Sequence, residues 1–173
     1  MRARFLAPVL IVLTAAVAPL PAAAGPASTG PPAGPLWTAP LGGDLVVTRP
    51  FDGPPNPFAA GHRGVDLAGT PWTPVLAAGD GVVVFAGMVA GRPVVSIDHA
   101  DGLRTTYEPV TPSVGAGRRV SRGSPIGTLA AGHAGCPGAA CLHWGLRRGE
   151  NYLDPLDLLR PPRVRLLTPG SAP

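Results

Sequence analysis

The 173-residue chain contains no lysine: all 14 of its basic residues are arginine. Aromatic residues make up 5% of it, so any core must be built from Val, Leu, Ile and Ala rather than from large rings. Charge is scarce as well. The formal net charge of +4 includes Arg2 and Arg4 at the extreme N-terminus. Without those two, 12 arginines face 10 acidic residues, a balance of 12 − 10 = +2. That is too little for the basic surface that nucleic-acid binding requires. No long amphipathic helical stripe is present, and the apolar stretch from Phe5 to Ala18 is shorter than the about 20 residues a membrane-spanning helix needs.

What the chain has in abundance is turn residues, 24 Gly and 24 Pro. Proline breaks hydrogen-bonded ladders and glycine weakens element interiors, so many short strands and little helix are expected. The N-terminus has a charged start, an apolar middle and the small-residue stretch Ala22-Ala23-Ala24 before Gly25, the pattern of a signal peptide over residues 1–24. An uncleaved N-terminal anchor is the alternative reading. The signal reading predicts a secreted, extracytoplasmic protein without stable membrane insertion. In that compartment paired cysteines tend to be oxidised, and Cys136 and Cys141, flanking Pro137-Gly138-Ala139-Ala140, are expected to form a disulfide. Residues 25–40 read as a Pro/Gly/Ala-rich linker, 41–159 as the folded domain, and 160–173 as a disordered Pro-rich tail.

Within the domain the strand signals are Leu45–Thr48, Gly81–Ala86, Val94–Ile97, Leu103–Tyr107, Val120–Leu129 and Leu142–Leu146. Asp101-Gly102 between two of them marks a hairpin. One short helical pattern is left, Leu153 to Leu159. Short strands separated by turns predict an all-β fold of antiparallel sheets.

The histidines carry the chemistry. His62 and Asp66 are four residues apart in Gly61-His62-Arg63-Gly64-Val65-Asp66. His143 lies in an alternating strand and shares a face with Cys141, because strand side chains repeat every two residues. Two imidazole nitrogens and one carboxylate oxygen form a catalytic zinc set that leaves a fourth position for water. The plainer reading makes His62 a loop cap and His143 a satisfied core residue. His99 sits in the hairpin turn, where a local polar role is expected. Trp72 and Trp144 read as core or groove wall, and Arg118, Arg119, Arg147 and Arg148 as surface that could meet phosphates or carboxylates.

The stretches GHRGVDLAGTPWTPVLAAGDGVVVFAG, VVSIDHADGLRTTYEPV, VGAGRRVSRGSPIGTL and CLHWGLRRGENYLDPLDLL resemble, in order and over nearly the whole predicted domain, the lysostaphin-type or LytM-like zinc endopeptidase family. Its members cleave peptide cross-bridges of bacterial cell walls. The resemblance implies an antiparallel β-sheet sandwich of the duplicated hybrid motif type with a groove over one sheet. It implies Zn2+ held by His62, Asp66 and His143, and peptidoglycan or its stem and cross-bridge peptides as partner.

The chain departs from the family pattern at both acid–base positions. A tyrosine followed two residues later by a catalytic histidine is Tyr107-Glu108-Pro109 here, and the first histidine of an H-x-H pair is Cys141. General base catalysis contributes about 10²–10⁴-fold and an oxyanion donor about 10²–10³-fold. Losing both predicts weak or lost activity. His133, just before the cysteine loop, is the candidate substitute. Glu108 is adjacent to the altered position and, by strand alternation, is expected on the opposite face. Three functions follow: a weakened wall peptidase, a non-catalytic module that binds wall peptides or regulates another wall hydrolase, and a structural zinc domain.

Overall fold

The computed structural model describes residues 36–56 and 59–160. The predicted signal peptide, residues 25–35 of the predicted linker and residues 161–173 of the predicted tail lie outside the described residues. Among the described residues eleven strands follow in chain order: β1 (Val47–Arg49), β2 (Gly64–Gly69), β3 (Pro74–Leu76), β4 (Gly81–Val89), β5 (Arg92–Asp98), β6 (Leu103–Glu108), β7 (Val110–Pro112), β8 (Arg119–Val120), β9 (Pro125–Leu129), β10 (Ala140–Arg148) and β11 (Asn151–Leu153). The large sheet runs β1-β2-β10-β6-β5-β4-β8, and β11 pairs with the end of β10; a second sheet runs β3-β9-β7. Every pairing between these strands is antiparallel, which agrees with the all-β expectation.

The β5–β6 hairpin turns through Ala100–Gly102, with Asp101 and Gly102 at φ 59° and 69°, the left-handed region that Asp and Gly tolerate best. Along β6, buried Leu103, Thr105 and Tyr107 alternate with the less buried Arg104, Thr106 and Glu108. That period of two directs one face to the core and the other to an open groove. The stretch read as one strand from Val120 to Leu129 is split into β8 and β9 by a turn at Ser121–Ser124 with Gly123 at φ 77°. The Leu153–Leu159 pattern ends as a 3-10 turn, Pro155–Leu159, capped by the Asp154 carboxylate accepting from the Leu156 amide at 3.0 Å.

The core lies between the sheets. Val65 and Leu67 of β2 and Leu142 and Trp144 of β10 pack with Tyr107, and Val75, Val110, Ile126 and Leu129 come from the small sheet. All nine are fully buried. Each buried aliphatic contributes about 1.5–3 kcal/mol, so β10, central in the large sheet, is among the best anchored elements. Trp144 is core as expected. Trp72 is not: it is 78% exposed, in a left-handed turn at φ 73° that turns its ring away from the core. The last part of the predicted linker packs on the domain. Trp37 lies against the core, Thr38 donates to the Ala78 carbonyl, and the Pro40 carbonyl accepts from Leu76.

Candidate metal centre

Because β2, β10 and β6 are neighbours, register alone sets three polar residues in a row. Asp66 pairs with His143, and His143 pairs on its other side with Glu108. Directly opposed residues share a sheet face. Asp66 is nonetheless buried, at 2% exposure, beneath the rings that converge on it. Glycine makes the space: a Cβ on Gly64 would lie 2.4 Å from the Trp144 carbonyl oxygen and 2.8 Å from His143 Nε2.

His62 comes from outside the sheet. Its backbone is clamped to Asp52 by two reciprocal hydrogen bonds of 2.7 and 3.0 Å. Its ring Nδ1–H donates to the Pro50 carbonyl at 2.7 Å, which settles the tautomer because a carbonyl can only accept. In the neutral ring the metal-binding lone pair is then on Nε2. That nitrogen lies 3.0 Å from Asp66 Oδ1 and 3.1 Å from His143 Nδ1, and His143 Nδ1 is 2.9 Å from the same oxygen. The donor atoms of His62, Asp66 and His143 all fall within 4.8 Å of one another.

This donor set fits a divalent zinc ion. Burial pushes the Asp66 carboxyl up; the hydrogen bond from His143 and the charge of the three nearby histidines outweigh it and hold the group below the usual carboxylate range. In the neutral form of His62 its lone pair faces the Asp66 oxygen at 3.0 Å, and two acceptors at that distance repel unless a proton or a metal cation stands between them. The Pro50 carbonyl behind His62 is the outer partner that metal-bound imidazoles usually have.

The two altered family positions carry no proton-transfer group. Pro109 has no donor, and its carbonyl accepts from the Ala130 amide at 3.0 Å. Cys141 is fully buried and bonded to Cys136, with Sγ–Sγ 2.08 Å and Cα–Cα 5.6 Å, the disulfide expected from the sequence. His133 does fold into the site: its Nε2 is 3.3 Å from Asp66 Oδ1 and its ring stacks at 5.7 Å on His143.

Glu108 does not lie on the opposite face that alternation from Pro109 gave it. Tyr107 points into the core, so Glu108 faces the groove beside His143 and forms an ion pair with Arg92. The groove consists of two adjoining hollows of about 300 and 220 Å3 that share Arg63, Glu108 and His143. Arg49 and Arg92 line the first, and the Arg63 guanidinium stands 5.4 Å over the Tyr152 ring at the second. Spacing in the sequence brought out the histidines, but not Arg49, Arg63 and Arg92, whose meeting depends on strand order. His99 lies away from the centre, donating to the Asp80 carbonyl and contacting Thr105 Oγ1 at 2.7 Å, the local role expected of it.

Comparison with known proteins places this architecture. A profile of peptidase family M23 matches residues 60–155. An uncharacterized protein of Mycobacterium tuberculosis is 55% identical over 131 residues, covering 73% of this chain and 53% of that protein. The DD-carboxypeptidase/endopeptidase Mpg of Neisseria meningitidis is 33% identical over 101 residues, covering 58% of this chain and 23% of Mpg. The chain thus spans about half, or less, of the length of these relatives. Among solved structures, a zinc-containing peptidase from Vibrio cholerae superposes with a TM-score of 0.55 at 25% identity, over 66% of this chain and 37% of that one.

Proposed function

The chain belongs to peptidase family M23, and from that membership we propose that it is a secreted zinc-metallopeptidase domain directed at the peptides of bacterial peptidoglycan, with hydrolysis weak or lost. The observation that carries the reading is the convergence of His62, Asp66 and His143 on one point at the floor of an open groove. A zinc ion held by these residues would supply Lewis-acid polarisation of a peptide carbonyl. The Pro50 carbonyl orients His62 for that task, and the Gly64 backbone gives His143 room. Arg49 and Arg63 offer cationic sites to the carboxylates that wall peptides carry, in the planar geometry that suits them. The secreted assignment rests on the N-terminal charge and apolar pattern, and cleavage is expected to leave Gly25 at the mature N-terminus.

Weak turnover follows from Pro109 and Cys141, which can neither accept nor donate the protons of peptide hydrolysis. Glu108 is a groove-facing carboxylate next to His143 and is the group able to support residual turnover. The second reading, a non-catalytic module that binds wall peptides or regulates another wall hydrolase, is favoured by the same disulfide, since it locks one catalytic position in oxidised form.

The test is zinc content and peptidoglycan hydrolysis on one sample of the exported protein, beside Asp66→Ala. One equivalent of zinc in the parent and none in the variant is expected. Cleavage lost in Asp66→Ala supports the peptidase reading, and zinc without cleavage supports the binding module. A parent that takes up no zinc sinks the metallopeptidase reading.

A further inference from the structure

β4 lies three strands away from β10 in the large sheet, and its outer neighbour β8 is two residues long. β8 pairs with Gly81 and Val82. One step further, Val83 donates to the Arg118 carbonyl at 2.9 Å and accepts from the Gly117 amide at 2.8 Å. From Val84 to Val89 no strand pairs with that outer edge among the described residues. The hairpin fixes which backbone groups are left open. Ala90 and Gly91, at φ 47° and 81°, form a two-residue turn that closes on Val89 and Arg92. The next pair is Met88 with Pro93, which has no N–H. It is therefore a non-hydrogen-bonded pair, and the polar groups of Met88 point away from β5. The same holds two residues on, for Ala86 opposite Val95. The N–H and C=O groups of Ala86 and Met88 thus face outward with no strand to receive them.

The side chains do nothing to shield this edge. Natural edge strands are protected by charge, by proline or by a covering segment. Residues 81–89 of β4 contain no charged residue and no proline. Val84, Phe85, Met88 and Val89 are 37, 38, 63 and 45% exposed, and the Phe85 ring lies over Gly87, where a Cβ would stand 3.3 Å from its Cζ. A bulge at Val84 separates the covered stretch from the open one. An uncharged, valine-rich edge of this kind is a template for pairing with another chain. The foot of the edge is cationic. Arg118 and Arg119 are exposed, Arg122 is half-buried, and none of the three has an ion pair among the described residues.

We propose that the outer edge of β4 docks an extended segment of a partner protein, apolar along its length and acidic at one end. The segment adds a strand beside Ala86 and Met88 and sets its carboxylates against Arg118, Arg119 and Arg122. Backbone hydrogen bonds give strand addition its affinity, and the flanking side chains give it specificity. Charge argues against a second copy as the occupant. Antiparallel self-pairing about Gly87 would bring Arg92, at the hairpin tip of each copy, beside Arg118 at the foot of the other. A lipid surface offers no strand to the open backbone groups. The docking edge involves none of His62, Asp66 and His143, so it does not depend on zinc.

The probe is a short synthetic peptide of alternating valine and threonine with glutamates at one end, set beside the same peptide with lysines in their place. In the free, 15N-labelled exported protein the amides of Ala86 and Met88 are expected to exchange rapidly with solvent, and the glutamate peptide should protect both. Met88→Pro removes one outward N–H and leaves the ladder with β5 in place. It should abolish protection of Ala86 while the amides of β5 and β6 exchange as in the parent. Arg118→Glu/Arg119→Glu should weaken binding of the glutamate peptide about tenfold and turn the preference toward the lysine peptide. Sedimentation velocity of the free protein should show a monomer. Protected Ala86 and Met88 amides in the free protein would overturn the proposal: in a dimer the edge is held by a second copy, and in a monomer by another part of the chain. Equal binding of the two peptides, equal binding by parent and Met88→Pro, or no binding of either peptide would overturn it as well.

Discussion

Asp66 and His143 face each other across β2 and β10, with Nδ1 2.9 Å from Oδ1, and the next pair on the same face of that ladder, beyond Val65 and Trp144, is Gly64 with Gly145. The second pair makes the first possible. A methyl group on Gly64 would meet the Trp144 carbonyl and the His143 ring at distances that real Cβ atoms do not occupy. Gly64→Ala is therefore expected to destabilise the fold by about 1–3 kcal/mol through overpacking and to displace His143 from its oxygen partner. Thermal unfolding and zinc titration check the two effects separately. A Gly64→Ala protein that unfolds and binds zinc like the parent would show that the ring has another place to lie.

Glu108 provides the second prediction. It is paired in register with His143, lines the groove and is engaged by Arg92. If residual hydrolysis uses a carboxylate as proton acceptor, Glu108→Gln should lower it by about 10²-fold or more while zinc content stays the same. The measurement is release of soluble muropeptides by the zinc-loaded protein. Activity equal in parent and variant would remove Glu108 from the chemistry.

How much of this was legible in the residues depended on the kind of signal each one carried. The four-residue spacing of His62 and Asp66 and the position of His143 in an alternating strand singled out three donors, and the fold brings them together. The cysteine pair followed from compartment and loop length. β2 gave no alternation to read, because Gly64, Val65, Asp66 and Leu67 are all buried. Glu108 was misjudged because its face was counted from Pro109, where β6 has already ended. The count that holds starts from Tyr107, whose burial sends its neighbour into the groove. His133 sits in a Gly/Ala-rich stretch without periodicity, and its return to the site depends on a left-handed backbone, an isolated bridge from Gly132 to Ala140 and the disulfide. Such long-range constraints leave no local pattern.

The disulfide has a measurable weight of its own. It links residues five apart, a short loop, for which chain-entropy reasoning gives about 2 kcal/mol of stabilisation. Cys136→Ser/Cys141→Ser should lower denaturant stability by about that amount without unfolding β10, whose pairing with β2 and β6 is independent of the loop. Chemical denaturation of the oxidised parent and the double variant tests this. A loss several times larger would mean that the loop is part of the core.

The absence of lysine opens an alkaline window for the last prediction. Tyr107 is fully buried; burial pushes its phenol up to about 12, and hydrogen bonds with Thr105 and from the Ala78 amide, each 2.9 Å, oppose that only in part. The folded value is above the unfolded value of 10.0, so the folded state favours the neutral phenol. The associated stability is fully present below pH about 10 and is lost as pH rises toward 12. A two-unit separation corresponds to about 3 kcal/mol. With no lysine, and with both cysteines in the disulfide, phenols are the side chains that titrate in this interval. The chain has two tyrosines, so Tyr152→Phe leaves Tyr107 as the single reporter. In that background phenolate absorbance should rise together with loss of the folded signal between pH 10 and 12. Tyr107→Phe should remove the pH dependence of stability in the same interval. Phenolate formation at pH 10 with the fold intact would mean that the Tyr107 hydroxyl reaches water and that the core around Trp144 opens more readily than its packing implies.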